Sequence, residues 1–210
     1  MLISLRMIYL SVNQTIYIVI LVFSILLVIG LIAFIVIKNI YCPKHIKELT
    51  YLKLKNLCNA NDYLLLNNYK LHLDDKNIGT IDHVVICNKF IVIVNDFALS
   101  GVLSGDFADD ELILYNEKGA NRILNPLNYN FNVAKRLALY NDLGQSLLKG
   151  LVVVNSDCKI NMTSNNHQFK IIRVNELKKT IKQFDKANVK NLKEDDVVRF
   201  INYLDSNNIK

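Results

Sequence analysis

Gly79–Gly101 reads GTIDHVVICNKFIVIVNDFALSG. Two short apolar runs, Ile81–Cys87 and Phe90–Val94, are split by the polar pair Asn88-Lys89. Runs of that length, rich in Val and Ile and joined by a turn, predict two buried strands. Asp82 is a carboxylate inside the first strand, Asn95 and Asp96 close the second, and Ser100-Gly101 begins a turn. Acidic or amide groups near a shared strand edge could hold a divalent metal. The same residues also suit an ordinary sheet centre with one hydrogen-bonded aspartate, and both readings stay open on this stretch alone.

Working outward, Lys44–Asn59 follows Pro43 and carries Ile46, Leu49, Leu52, Leu54 and Leu57 at loosely helical spacing. Asp62–Leu73 reads as a strand or strand pair, and Asp74–Gly79 as a turn-rich link. Downstream, Glu111–Tyr115 predicts a strand and Asn121–Leu127 a loop. Asn125 suits an N-cap and Pro126 the first turn of a helix to about Asp142, with Phe131, Ala134, Leu137 and Ala138 inward. Leu151–Val154 and Phe169–Val174 predict further strands. Asn175–Phe184 and Lys193–Leu204 predict two closing helices, the second with Glu194, Asp195 and Asp196 where the helix dipole favours negative charge. Asp109-Asp110-Glu111 reads as a solvated loop tip. No internal repeat and no low-complexity linker marks a second soluble domain.

Three pieces carry a family resemblance: Ile81-Asp82-His83-Val84-Val85, the next apolar strand ending in Ser100-Gly101, and Asn125-Pro126-Leu127. In that order and spacing, over about residues 44–155, they resemble the nuclease-related domain (NERD) family of the PD-(D/E)xK nuclease superfamily. The resemblance implies an α/β fold, a restriction-endonuclease-like mixed sheet flanked by helices. It also implies phosphodiester hydrolysis with Mg2+ or Mn2+. An Asp and a Glu would supply hard oxygen ligands, and the metal would polarise the phosphate and activate water. A Lys two residues after the Glu, on the same strand face, would orient that water or neutralise developing charge.

The motif is degenerate here. Counting back from Gly101, the family's Glu falls on Asn95, its Lys on Phe97 and its later Gln on Tyr129, while Asp82 survives. Asn95 offers a carbonyl oxygen without charge, and Phe97 supplies neither charge nor hydrogen bonds. Asp82 and Asn95 are the candidate metal positions, and Glu48 matches a Glu of the family's first helix. Lys89, and Lys135 beside Arg136, are the candidate replacements for the missing lysine. Losing one positioned electrostatic group costs about 10²–10³ in rate. Taking Asp96 as the acid would put Ala98 in the lysine's place and turn the motif toward the other face. His83 has no paired nucleophile or second histidine in sequence and reads as structural.

Ile16–Ile37 holds 22 residues without a charge, 18 of them Ile, Leu, Val or Phe. As a helix it would span about 33 Å, enough for a bilayer core. It predicts one transmembrane helix, after a short segment 1–15 and before a domain over 38–210. A cleaved signal peptide is disfavoured by the length of the run, the sparse leading charge and the missing small-x-small site. Arg6 precedes the run, whereas Lys38, Lys44, Lys47, Lys53 and Lys55 follow it. The positive-inside rule therefore predicts a single-pass membrane protein with a cytoplasmic C-terminal domain. Cys42, Cys58, Cys87 and Cys158 have no metal-ligand spacing and read as free thiols of a reducing compartment, with Cys42 also placed for acylation.

The 210-residue chain carries a net charge of +6, a balance shared by many ordinary domains and mildly attractive to phosphate or anionic lipid. Three functions follow. The first is a membrane-tethered domain with a decayed site, retained to bind DNA, RNA or a protein partner. The second is an active divergent metal-dependent nuclease. The third is a membrane assembly subunit using the fold as scaffold. A lysine amine within a few ångströms of the Asp82 carboxylate supports the second, and its absence the others. No aromatic-basic signature of an RNA module is present.

Overall fold

The computed structural model describes residues 17, 19–34, 45–72, 78–164 and 166–209. The chain divides into two compact units, Met1–Cys42 and Pro43–Lys210. In the first, residues 19–34 form a helix, α1, exposed along its whole length. No helix among the described residues is long and apolar enough to cross a membrane. The described part of α1 comes to about 24 Å, short of a bilayer core. Segment 1–15, the remainder of the uncharged run, Cys42 and the link at 74–77 lie outside the described residues.

The second unit is a mixed α/β domain. Its main sheet has the order β1-β2-β3-β7-β9, from β1 (Leu64–His72), β2 (Ile78–Ile86), β3 (Ile91–Phe97), β7 (Leu148–Val154) and β9 (Phe169–Arg173). The first three strands form an antiparallel meander, and β7 and β9 add in parallel. β3 and β7 are interior strands covered on both faces, so Ile91–Val94 and Leu151–Val154 within them are continuous apolar runs. The Asn88-Lys89 turn thus joins two strands as its sequence predicts, and Asp62–Leu73 resolves into one strand.

Two apolar layers cover the sheet. On one face, Ile46, Leu54 and Leu57 of α2 (Ile46–Asn61) pack with Val85, Val92 and Val94. Leu177, Ile181 and Phe184 of the later helix α4 (Leu177–Asp185) complete that layer. On the other, Val133, Ala134 and Leu137 of α3 (Pro126–Tyr140) pack with Ile81, Ile93 and Val152. Phe200 and Leu204 of α5 (Glu194–Asn207) join this second core. α5 is fixed to the edge strand by Tyr69, whose hydroxyl donates to Asp205 at 2.7 Å.

Of a second sheet, order β6-β5-β4-β8, only β5 was expected from the sequence, as the strand at Glu111–Tyr115. This sheet combines β4 (Val102–Gly105), β5 (Glu111–Asn116), β6 (Gly119–Leu124) and β8 (Lys159–Met162). Four-residue strands carry too few side chains to show a period of two. β6 corrects the loop expected over Asn121–Leu127: its residues are exposed almost throughout, so pairing with β5 forms it without an apolar pattern.

Candidate functional site

The site positions lie where β2 and β3 run side by side. The last registered pair is His83↔Val94, which brings Asp82 and Asn95 to adjacent positions one step further on. β3 alternates regularly. Ile93 joins the α3-side core and Val94 the α2-side core. Asn95 then turns to α3, where it accepts from Asn130 at 3.2 Å. Asp96 turns back toward α2, and Phe97 packs against the α3-side core.

β2 does not alternate through the same region. Ile81 and Val84 both belong to the α3-side core, so Asp82 and His83 between them both face α2. Asp82 meets Lys47 of α2, and the His83 ring stacks on Tyr51 of α2. Opposite this break, Asn68 of β1 is left-handed at φ 60°, a conformation asparagine tolerates. One consequence corrects the sequence reading. Asp96, expected on the wrong face for a shifted motif, shares its face with Asp82. Asn95 and Phe97, where the resemblance puts the family's acid and lysine, point to the other.

On the α2 face every oxygen of Asp82 is engaged. Lys47 Nζ lies 2.6 Å from Oδ1, and the Asp96 backbone N–H donates to Oδ2 at 2.9 Å. The hydrogen bond to Asp82, helped by the charges of Asp82 and Asp96 against partial burial, holds the Lys47 ammonium above the usual lysine range. Beneath them, His83 Nε2 lies 3.0 Å from Asp96 Oδ2, and His83 Nδ1 lies 2.6 Å from Asn67 Oδ1. The Asp96 side chain is 0 % exposed and its Oδ1 has no hydrogen-bond partner among the described residues. Both His83 nitrogens have an acceptor within reach, Asp96 Oδ2 and Asn67 Oδ1, and the ring is buried.

On the α3 face the polar groups also close on one another. Asn95 Nδ2 donates to Thr80 O at 2.8 Å, and the Tyr129 hydroxyl donates to the same oxygen at 3.0 Å. The Thr80 N–H in turn donates to the Tyr129 hydroxyl. The Asn-Pro pair is architectural: Asn125 Oδ1 caps α3 through the Leu127 N–H, and its Nδ2 donates to Asp109 O at 2.8 Å. Gly101 is required by the turn after β3, where φ is 113° and a Cβ would lie 2.2 Å from Tyr115 O.

The remaining sequence candidates stand apart. Glu48 shares an open hollow of about 390 Å³ with Lys47, Tyr51, Asn67, Asn68 and His83, but its carboxylate bonds His45 Nδ1 at 2.7 Å. Lys89 lies at the β2–β3 turn, about 20 Å along β3 from Asn95, and its amine donates to Ala187 O at 2.8 Å. Lys135 is exposed on α3, beside a surface hollow with Asn132, Leu139 and Tyr140. Neither lysine is bonded to Asp82, and Lys47 takes that place. Sequence reasoning missed Lys47, Asn67 and Asn130. Position 47 is 35 residues from Asp82, and no local pattern connects them.

Mg2+ or Mn2+ would need several hard oxygen ligands converging on one point. Each Asp82 oxygen is already hydrogen-bonded, the Asn95 amide is bonded to Thr80 and Asn130, and Asp96, whose Oδ1 is unpartnered, is 0 % exposed beside His83. No group of three or more His, Cys, Asp or Glu placed to hold a metal ion occurs among the described residues. The residues present do not fit such a metal. The acidic tip Asp109-Asp110-Glu111 forms no such group either.

A family model described as nuclease-related domain (NERD) matches residues 35–155. No curated protein and no solved structure matches the chain.

Proposed function

We propose, for a chain that belongs to the nuclease-related domain family, a membrane-anchored domain that acts by binding and not by phosphodiester hydrolysis. The observation that carries this reading is the Asp82 carboxylate. Its two oxygens are held by the Lys47 ammonium and the Asp96 amide, where the family's chemistry needs a metal. The uncharged Asn95 and the apolar Phe97 point the same way. Such a domain would hold DNA, RNA or a protein partner at the inner face of a membrane.

The 22-residue uncharged run and the exposed apolar side chains of α1 support anchoring. A helix of Ile, Leu, Val and Phe with no partner in water favours lipid. The cytoplasmic placement of the domain is supported by the lysine bias after the run. Cys58, Cys87 and Cys158 are free and buried, which suits a reducing compartment.

One observation favours a second reading. Lys47 Nζ, 2.6 Å from Asp82, meets the criterion of a nearby lysine amine. With Asp96 on the same face, an active rearranged nuclease would use Asp82, Asp96 and Lys47. It would have to break the Lys47–Asp82 pair and expose Asp96 before any metal could enter.

The test uses the full chain in detergent micelles with labelled single- and double-stranded DNA and RNA, in Mg2+ or Mn2+, beside Asp82→Ala. Salt-sensitive retention without cleavage is expected. Metal-dependent cleavage that disappears in the variant would overturn the binding reading and establish the second. Neither cleavage nor retention would leave a protein partner as the ligand or a membrane scaffold as the role.

A further inference from the structure

We propose that the lysine stripe of α4 is a docking surface for anionic lipid headgroups, an inference that rests on the anchoring argued above. α4 reads LKKTIKQFD, with Leu177, Thr180, Ile181 and Phe184 buried. Lys178, Lys179, Lys182 and the C-cap Lys186 are exposed. At 100° per residue these four lysines fall within an arc of about 100°, opposite the buried stripe. Lys190 is exposed four residues after Lys186, beyond the helix.

The charge of the domain is concentrated here. Residues 170–193 hold eight basic and two acidic side chains, net +6. Residues 38–210 as a whole hold 24 basic and 19 acidic, net +5. The rest of the domain is therefore slightly negative. The two local carboxylates are already used. Glu176 bonds Arg173 at 2.6 Å, and Asp185 accepts from the Tyr63 hydroxyl at 2.7 Å and the Lys89 N–H at 3.1 Å. Among the described residues no ion pair reaches the five lysines; Glu176 acts on Lys179 only through space.

The chemistry of the stripe favours a lipid surface over nucleic acid. It presents compact ammonium charges, with no guanidinium fork and no exposed aromatic ring among them. Only 11 residues separate position 34 from Ile46, a reach of at most about 40 Å. A domain tethered that closely to an apolar anchor stays beside headgroups at high local concentration. Juxtamembrane lysine clusters are attracted to anionic headgroups over about a Debye length.

The experiment reconstitutes the full chain in neutral phosphatidylcholine vesicles and in vesicles with about one third phosphatidylserine. Exposed lysines are acylated briefly and read by mass spectrometry, with Lys118 on the β5–β6 turn as internal control. Labelling of Lys178, Lys182 and Lys186 is expected to be about fivefold slower on anionic vesicles. It should recover in high salt, with Lys118 unchanged. The triple variant Lys178→Glu, Lys182→Glu, Lys186→Glu should lose the difference at Lys179 and Lys190. Equal labelling on both vesicles overturns the proposal. So does protection by a duplex oligonucleotide without protection by anionic vesicles. Retention on neutral vesicles through an alkaline carbonate wash reports the anchor separately. If the wash releases the chain, the anchoring reading fails. Salt-sensitive capture by anionic vesicles with the same footprint then still supports the docking surface, and no capture overturns it.

Discussion

Lys47 Nζ and Asp82 Oδ1 stand 2.6 Å apart, an ion pair that joins α2 to β2 across 35 residues of sequence. The carboxylate is the more buried partner, 13 % exposed against 65 % for the lysine. Its other oxygen takes the Asp96 N–H. Asp82 therefore holds the hairpin to itself as well as to α2.

The two partners should not be equivalent in a stability measurement. Asp82→Ala leaves the Asp96 N–H without its acceptor and is expected to cost about 1–3 kcal/mol. Lys47→Ala removes a largely solvated charge and should cost no more than about 1 kcal/mol. Urea denaturation of both single variants and the double variant separates the terms. Equal losses from the two single variants would contradict this asymmetry.

The His83–Asp96 pair is buried on both sides. Asp96→Ala should cost about 3 kcal/mol, because it strands His83 Nε2 in a low-dielectric site. Asp96→Asn keeps an acceptor and should cost clearly less. The comparison is again read from urea midpoints. A loss under 0.5 kcal/mol from Asp96→Ala would mean that water reaches the ring, an outcome on the scale of a surface change.

Asn95 sits in a setting that disfavours a carboxylate. Its Nδ2 donates to Thr80 O at 2.8 Å and its side chain is buried. Asn95→Asp turns that donor into a second acceptor, and a loss of about 2 kcal/mol at neutral pH is expected. The deficit should shrink as pH falls and the carboxyl regains a proton to donate. A thermal or urea series from pH 7 to pH 4 checks both the size and the trend.

Alkaline pH should unfold the domain through buried acids. Burial pushes the Cys58 thiol up from 9.0 to about 11. Burial, then the hydrogen bond to Asp205, pushes Tyr69 up from 10.0 to about 12. Burial and Asp185 raise Tyr63 further. A raised folded pKa gives stability that is complete below the unfolded value and lost above it. The urea midpoint should therefore fall from about pH 9 to pH 12. Burial lowers the Lys149 pKa, which opposes the trend as one group among several. Tyr69→Phe should flatten the fall between about pH 10 and pH 12, read alongside phenolate absorbance.

Much of the main sheet was legible because its central strands are covered on both faces. Phe90–Val94 and Leu151–Val154 announce burial by unbroken apolar runs, and Ile81–Cys87 by a run broken only at Asp82-His83. The start of α3 was legible because Asn125 and Pro126 act within one turn. β4, β6 and β8 were not, being short or exposed, with their pairing supplied by strands distant in sequence. At the site, the uncharged Asn95 and Phe97 at the positions the resemblance gives to Glu and Lys were readable by counting from Gly101. The side each residue faces was not. That depends on the break in alternation at Asp82 and on the left-handed Asn68 opposite it.

The sequence by itself determined the family, the apolar runs of the main sheet and the uncharged 22-residue stretch. Each of these is a property of residue type and local spacing, which the chain carries before it folds. The tertiary structure alone decided that Lys47 neutralises Asp82, that Asp96 shares its face, and that Asn95 is turned to α3. Those facts arise from contacts between elements far apart in the chain, and hydrogen bonds and ion pairs depend on distances that only packing sets.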